Sequence, residues 1–291
     1  SLNLNAFSGW NWDGARTALG GNVNGSAQLT NFWTLYGGVN QQASVVSGRV
    51  LRGGPLFRRE AQTNFWGGFG TDSRKTAQLN VSTWGNARPE SDSWTVGLSP
   101  TLRFRASGRA TVSLGVNGTR NVDDRQWVGR WGEDDSHYLF GRLDQTTVGL
   151  TLRADYAFSP TLSLQLYAQP FVSAGQYTRL KTVADPLAER YQDRFRILDG
   201  TVEGNRTVAD VDGDGTLESV GHPDFSVKQF RSNAVLRWEY LPGSTLFLVW
   251  SQGRDHRAGR GAFDFADDLD TLFGTAPHNV FMIKGSYWLS R

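Results

Sequence analysis

The feature that most constrains this chain is a strict alternation of apolar and polar side chains over residues 145–174. Val148, Leu150 and Leu152 are separated by Gly149 and Thr151, and the pattern continues to the end of the segment. Successive side chains of a β-strand point to opposite faces, so period two gives one apolar face and one polar face. We therefore expect two amphipathic strands joined by a turn at 159–160.

The same alternation recurs along the whole chain. It predicts eleven strand segments, at 1–11, 16–38, 58–70, 74–86, 93–106, 109–120, 136–158, 161–175, 227–240, 243–252 and 278–290. No stretch with the 3.6-residue period of a helix competes with them. The sequence predicts an all-β protein built from one large antiparallel sheet.

The predicted connections alternate between short and long. Short turns rich in Gly, Pro, Asp and Ser are expected at 12–15, 71–74, 106–108, 159–160 and 241–243. Longer loops are expected at 39–57, 87–92, 121–135, 176–226 and 253–277. Short turns at one end and long loops at the other are typical of an outer-membrane β-barrel. A soluble β-sandwich, which buries its apolar face against a second sheet, is the alternative.

Composition agrees with a barrel domain that spans residues 1–291. The mean hydropathy is −0.42, and no run reaches the roughly 18 apolar residues of a membrane helix, but alternating strands average out as polar. The chain has no cysteine, which excludes disulfides and thiol chemistry. Its net charge is only +2, so the charge gives no indication of a nucleic-acid-binding surface. The bacterial outer membrane is the expected location and its lipid the expected partner.

Aromatic residues cluster toward the ends of the predicted strands. Because Trp and Tyr prefer the headgroup level of a membrane, they predict aromatic girdles. The residues concerned are Phe32, Trp33, Tyr36, Phe65, Trp66, Trp94, Tyr156, Phe158, Trp238, Tyr240, Trp250, Tyr287 and Trp288.

The number of strands carries a further expectation. Bacterial single-chain barrels have an even number of strands, whereas eleven are predicted here. We therefore expect at least one more strand before Ser1, so that the chain is the C-terminal part of a larger barrel. The only methionine is Met282, so the chain also lacks an initiator residue.

Several sequence blocks resemble one known family. They are 8–14 (SGWNWDG), 31–33 (NFW), 51–55 (LRGGP), 140–147 (FGRLDQTT), 164–171 (LQLYAQPF), 232–240 (SNAVLRWEY) and 242–250 (PGSTLFLVW). Together they resemble the C-terminal region of an uncharacterised bacterial outer-membrane family, whose full-length members carry an N-terminal module similar to family 9 carbohydrate-binding domains. The resemblance implies a barrel preceded by other segments, and it brings no catalytic motif and no sugar-binding residue to this chain.

The sharpest motif for a ligand is the segment 210–218, DVDGDGTLE. Asp210, Asp212 and Asp214, followed by a glycine and the backbone carbonyl of Thr216, match the first half of a Ca²⁺-binding loop. Position twelve is Gly221, so Glu218 or Asp224 would have to supply the last carboxylate. A Ca²⁺ site and a solvated acidic turn both stay open.

Two further sets of polar residues invite a function. Asp135 and His137 have the spacing of an acid–base pair at the start of a strand, and solvated loop residues are the alternative. Arg103, Arg105, Arg153, Asp155, Arg237, Glu239 and Lys284 fall on the polar faces of their strands and are predicted to face the lumen. There they would line a water-filled path or pair with one another.

The leading functional hypothesis is a passive role in the envelope, as a pore or as a barrel scaffold. Two alternatives remain: a barrel-borne hydrolase that uses acidic and histidine residues at the rim, and a structural subunit of a multiprotein envelope complex. The expected partners are lipid, other envelope proteins and the protein's own preceding segments.

Overall fold

The computed structural model describes residues 1–132, 136–203, 206–221, 223–259 and 262–289. The first half of the chain forms β1 (Leu2–Trp10), β2 (Arg16–Gln28), β3 (Thr34–Gln42), β4 (Val45–Ser47), β5 (Phe57–Arg59), β6 (Gln62–Gly70), β7 (Ala77–Arg88), β8 (Ser93–Ser107) and β9 (Ala110–Trp131). The second half forms β10 (His137–Ser159), β11 (Leu162–Val183), β12 (Phe195–Ile197), β13 (Thr201–Glu203), β14 (Arg206–Ala209), β15 (Glu218–Gly221), β16 (Phe225–Leu241), β17 (Ser244–Ala258), α1 (Phe265–Gly274) and β18 (His278–Ser286).

One antiparallel sheet dominates the fold. Its strands follow the order β1-β2-β3-β6-β7-β8-β9-β10-β11-β16-β17-β18, and β12 pairs with β11 beside this row. The prediction of an all-β protein with a large antiparallel sheet is confirmed. Within the described residues β1 pairs only with β2 and β18 only with β17, so this sheet is open at both edges.

The predicted strand at 16–38 is wrong, because it is two strands. A turn at 29–33 separates β2 from β3, closed by a hydrogen bond from the Leu29 amide to the Trp33 carbonyl at 2.8 Å. The turn contains no Gly or Pro. Asn31 supplies the turn chemistry instead, since its side-chain oxygen accepts from the Trp33 amide at 3.1 Å, while Phe32 adopts a left-handed φ of 64°.

This correction raises the row to twelve strands, so the odd-number argument for a strand before Ser1 loses its premise. The first and last strands of the row run antiparallel. All five connections at one end of the sheet, at 29–33, 71–76, 108–109, 160–161 and 242–243, are short. The turn at 11–15, predicted among these, lies at the opposite end with the long segments.

All five predicted loops are shorter than expected because strands extend into them, and three extensions are long. Residues 121–131 continue β9, residues 176–183 continue β11 and residues 253–258 continue β17. As a result, β9, β10 and β11 have 22, 23 and 22 residues and project beyond their neighbours at the long-loop end.

Both faces of this projection are covered by a hydrophobic core. Phe140 packs with Leu51, Phe57, Tyr191 and Phe195 on one face. Leu139 points to the other face, where it packs with Leu198, Ala209 and Val211. The described parts of the two long connections that contribute these residues therefore fold back onto the long strands.

Elsewhere the sheet has one polar and one apolar face, as the alternation predicts. Large apolar side chains lie exposed in the middle of the apolar face, among them Leu98 (51% exposed), Leu114 (47%) and Leu152 (43%). The helix α1 lies on this face near the long-loop end, where Phe273 packs against Phe230. None of the described helices is long and apolar enough to cross a membrane.

Candidate functional site

The polar face of the sheet carries a transverse row of amide side chains. Asn5, Asn22, Asn40, Asn64 and Asn86 are consecutive cross-strand partners over β1, β2, β3, β6 and β7. The row continues through Thr95, Asn121 and Gln145 on the next three strands. Eight neighbouring strands thus place a neutral hydrogen-bonding side chain at the same level of one face.

Direct hydrogen bonds join part of this row. The Asn5 side chain donates to the Asn22 oxygen at 2.9 Å, and the Thr95 hydroxyl donates to the Asn121 oxygen at 2.6 Å. Gln145 donates to the Ser173 hydroxyl at 3.1 Å, which extends the network to β11. An amide both donates and accepts, so an accessible amide can bind a neighbour and a ligand at once.

Aromatic rings accompany the row on the same face. A side chain added at Gly38 would collide with the Trp66 ring at 2.4 Å, and one at Gly97 would collide with the Trp84 ring at 2.5 Å. The rings therefore lie across the neighbouring strands, over glycines that leave room for them. Tyr36 does the same over Gly68.

The girdle prediction is therefore wrong for Tyr36 and Trp66. Tyr36 is the cross-strand partner of Ser26, and Trp66 is the partner of Gly38, both on the polar face. By contrast, aromatic pairs lie at the short-turn end of the apolar face: Tyr156 with Phe158, and Trp238 with Tyr240.

The two halves of the polar face differ in charge. Among the 52 residues of β1, β2, β3, β6 and β7 the only charged ones are Arg16, at the start of β2, and Arg88, at the end of β7. The residues predicted to face the lumen all lie on the polar face of later strands, toward the short turns. They are Arg103, Arg105, Arg153, Asp155, Arg237, Glu239 and Lys284.

Some of these charges have partners within the sheet. Arg237 pairs with Glu239 at 3.0 Å, and the Arg153 guanidinium lies over the Tyr167 ring at 5.0 Å. Arg105 donates to the Ser73 carbonyl at 2.5 Å in the adjacent turn. Five of the seven residues are basic, so the polar face near the short turns carries an excess of positive charge.

The acidic loop predicted for Ca²⁺ connects β14 to β15. Carboxylate oxygens of Asp210, Asp212 and Glu218 lie within 4.8 Å of one another. This spacing is compatible with oxygens around one Ca²⁺ at 2.3–2.6 Å from each. The structure thus brings together three of the five predicted residues, and Glu218 is the third carboxylate of the group.

The other predicted ligands are not among these three carboxylates. Asp214 accepts a hydrogen bond from the backbone of Thr216 at 2.7 Å, which lowers the pKa of the Asp214 carboxyl. Asp224 accepts from the backbone amide of Tyr177 at 2.7 Å and closes the base of the segment.

The predicted acid–base pair is only partly described. His137 begins β10 opposite Trp131, whereas Asp135 lies outside the described residues. The pair therefore stays a prediction.

Sequence reasoning missed a buried ionic cluster on the long strands. Asp124 is 4% exposed and lies 2.5 Å from the Lys181 ammonium, with Arg179 as a second partner. The Tyr191 hydroxyl donates to Asp124 at 3.0 Å. Burial and the Asp124 charge raise the pKa of Tyr191, which therefore stays protonated as the donor. The cluster ties the segment 184–198 to β9 and β11.

These features define an all-β protein whose main antiparallel sheet has one exposed apolar face and one polar face with a neutral and a charged half. The chain belongs to the family described as Domain of unknown function (DUF5916), whose model matches residues 12–290. This uncharacterised family covers nearly the whole chain. A search of curated proteins finds no match.

Proposed function

We propose that the chain forms the wall of a β-barrel in a bacterial outer membrane and acts as a passive pore. The observation that carries the proposal is the apolar face, which stays exposed in the middle of the sheet. Fully burying a leucine side chain is worth about 1.5–3 kcal/mol, so a face of this size must be covered. Membrane lipid is the cover that we propose.

Two features favour lipid over a second protein layer. The charged residues found on the apolar face, such as Arg120, Asp144 and Lys228, lie toward the long-loop end, above the apolar band. The aromatic pairs at its short-turn end match the place where Trp and Tyr meet headgroups. The short turns would then face the periplasm and the folded long segments the exterior.

The backbone N–H and C=O groups at the two open edges need hydrogen-bond partners in such an environment. Unpaired backbone groups cost several kcal/mol each in hydrocarbon, so membrane-spanning sheets close. We infer that β1 and β18 pair in the membrane, with each other or with further strands. Their antiparallel directions permit the first arrangement.

Reconstitution tests this proposal. In cells that express it, the protein should be recovered in the outer-membrane fraction. The purified protein should give stepwise conductance in planar bilayers. Recovery from the soluble fraction would contradict the proposed location in the outer membrane. A protein that inserts into the bilayer without any conductance would contradict the pore.

A matched pair of variants tests the orientation of the sheet. Leu114→Arg places a charge on the apolar face and should reduce membrane insertion, because arginine near the bilayer midplane costs about 2–4 kcal/mol. Thr151→Arg, at a similar height on the polar face and opposite Gly115, should insert normally. Equal insertion of the two variants would show that lipid does not cover the apolar face.

A further inference from the structure

The neutral half of the polar face has the chemistry of a binding surface. Four aromatic rings lie on it, Phe7, Tyr36, Trp66 and Trp84, of which Tyr36 is 44% exposed and Trp84 is 42% exposed. The amide row lies next to them, since Asn64 and Asn86 are two residues from Trp66 and Trp84 along their strands. Flat apolar rings beside hydrogen-bonding amides fit a ligand with apolar faces and polar edges.

The charge distribution restricts that ligand. No acidic or basic residue lies within β1, β3 or β6, and the two in β2 and β7 are terminal. A charged ligand would lose its hydration here without gaining a counter-charge. A neutral polyhydroxylated ligand loses less, because amides donate to and accept from its hydroxyls.

The rings are also spaced for an extended ligand. Trp66 lies over β3 and Trp84 lies over β8, and β6 and β7 lie between these strands. Three strand spacings correspond to roughly 14 Å. That distance exceeds one sugar ring and suits an oligomer.

We propose that Tyr36, Trp66 and Trp84, with Asn40, Asn64 and Asn86, bind a neutral oligosaccharide on the polar face. The inference rests on the proposed function, in which this face lines the interior of the pore. It names the class of solute that the pore would recognise.

Binding is measured by isothermal titration calorimetry on the full chain in detergent micelles, titrated with maltohexaose and with laminarihexaose. Hexagalacturonic acid serves as the charged comparison. We expect saturable binding of at least one neutral glycan and none of the acid. No saturable change with either neutral glycan up to about 10 mM, a limit that marks negligible affinity, would overturn the inference, as would tighter binding of the acid.

Variants separate a binding role from a purely structural one. Trp66→Leu with Trp84→Leu still covers the glycines but removes the flat rings, so binding should weaken by about tenfold or more. Trp94→Phe, on the apolar face, should bind as the parent protein does. Unchanged binding in the double variant, with the fold verified by circular dichroism, would refute the assignment.

The two proposals fail in different ways. Bilayer conductance without glycan binding would leave the pore standing and remove the oligosaccharide site. Glycan binding without conductance would retain the site and remove the pore.

Discussion

The buried ionic cluster at the long-loop end makes a quantitative prediction. Asp124→Asn removes the carboxylate that faces the Lys181 ammonium, which is only 2% exposed. Breaking a buried ion pair by removing one partner leaves an uncompensated charge and costs about 3–5 kcal/mol. Because Tyr191 also donates to Asp124, the segment 184–198 should loosen as the free energy of unfolding falls.

A double variant separates the ion pair from general damage. Asp124→Leu with Lys181→Met removes both buried charges, and Arg179, whose side chain is 55% exposed, keeps access to water. The double variant should be more stable than the sum of the single variants predicts, by about 2 kcal/mol.

Guanidinium unfolding in detergent gives the free energies, and tryptic cleavage within 184–198 reports the local loosening. A loss below about 1 kcal/mol for Asp124→Asn, a value typical of exposed pairs, would refute the reasoning. Strict additivity in the double variant would also refute it.

Three further predictions concern other parts of the molecule. Asp210→Asn should weaken Ca²⁺ binding in a calorimetric titration by about tenfold or more, whereas Asp214→Asn, outside the group of three carboxylates, should not; equal effects would contradict the site. The excess of basic residues on the polar face predicts a pore that prefers anions, so Arg153→Gln should reduce this preference in reversal-potential measurements; an unchanged potential would place this residue away from the ion path. Asp268→Asn leaves Lys228, its partner at 2.9 Å, buried and unpaired, so α1 should become susceptible to proteolysis; continued protection would show that apolar packing alone holds the helix.

The sequence was sufficient for the amphipathic strands, because period two is local. It failed at 29–33, where Asn31 and a left-handed Phe32 make a turn without Gly or Pro. The strand ends beyond residues 120 and 175 were missed because they leave the apolar band and pack against folded segments on both sides. There the alternation of apolar and polar residues no longer distinguishes a face in water from a face in an apolar environment.

Sites that depend on register were beyond local patterns. The amide row requires knowing that Asn22, Asn40 and Asn64 stand opposite one another. The buried cluster joins Asp124 to Lys181, which lies 57 positions later in the chain, and to Tyr191, which lies 67 positions later. One signal was nevertheless available in the sequence: the early strands are rich in asparagine and almost free of charge. The acidic loop was found because its ligands lie within nine residues.

The length of β9, β10 and β11 has a consequence for the order of assembly. At about 3.3 Å per residue they extend roughly 70 Å, more than twice the height of a bilayer core. At the long-loop end of these strands, a hydrophobic core joins Leu51 and Phe57 to Tyr191 and Phe195. The two pairs of residues are more than 130 positions apart in the chain. This hydrophobic core can form only after β10 and β11 have paired. The time at which it becomes resistant to protease would therefore report the last stage of folding.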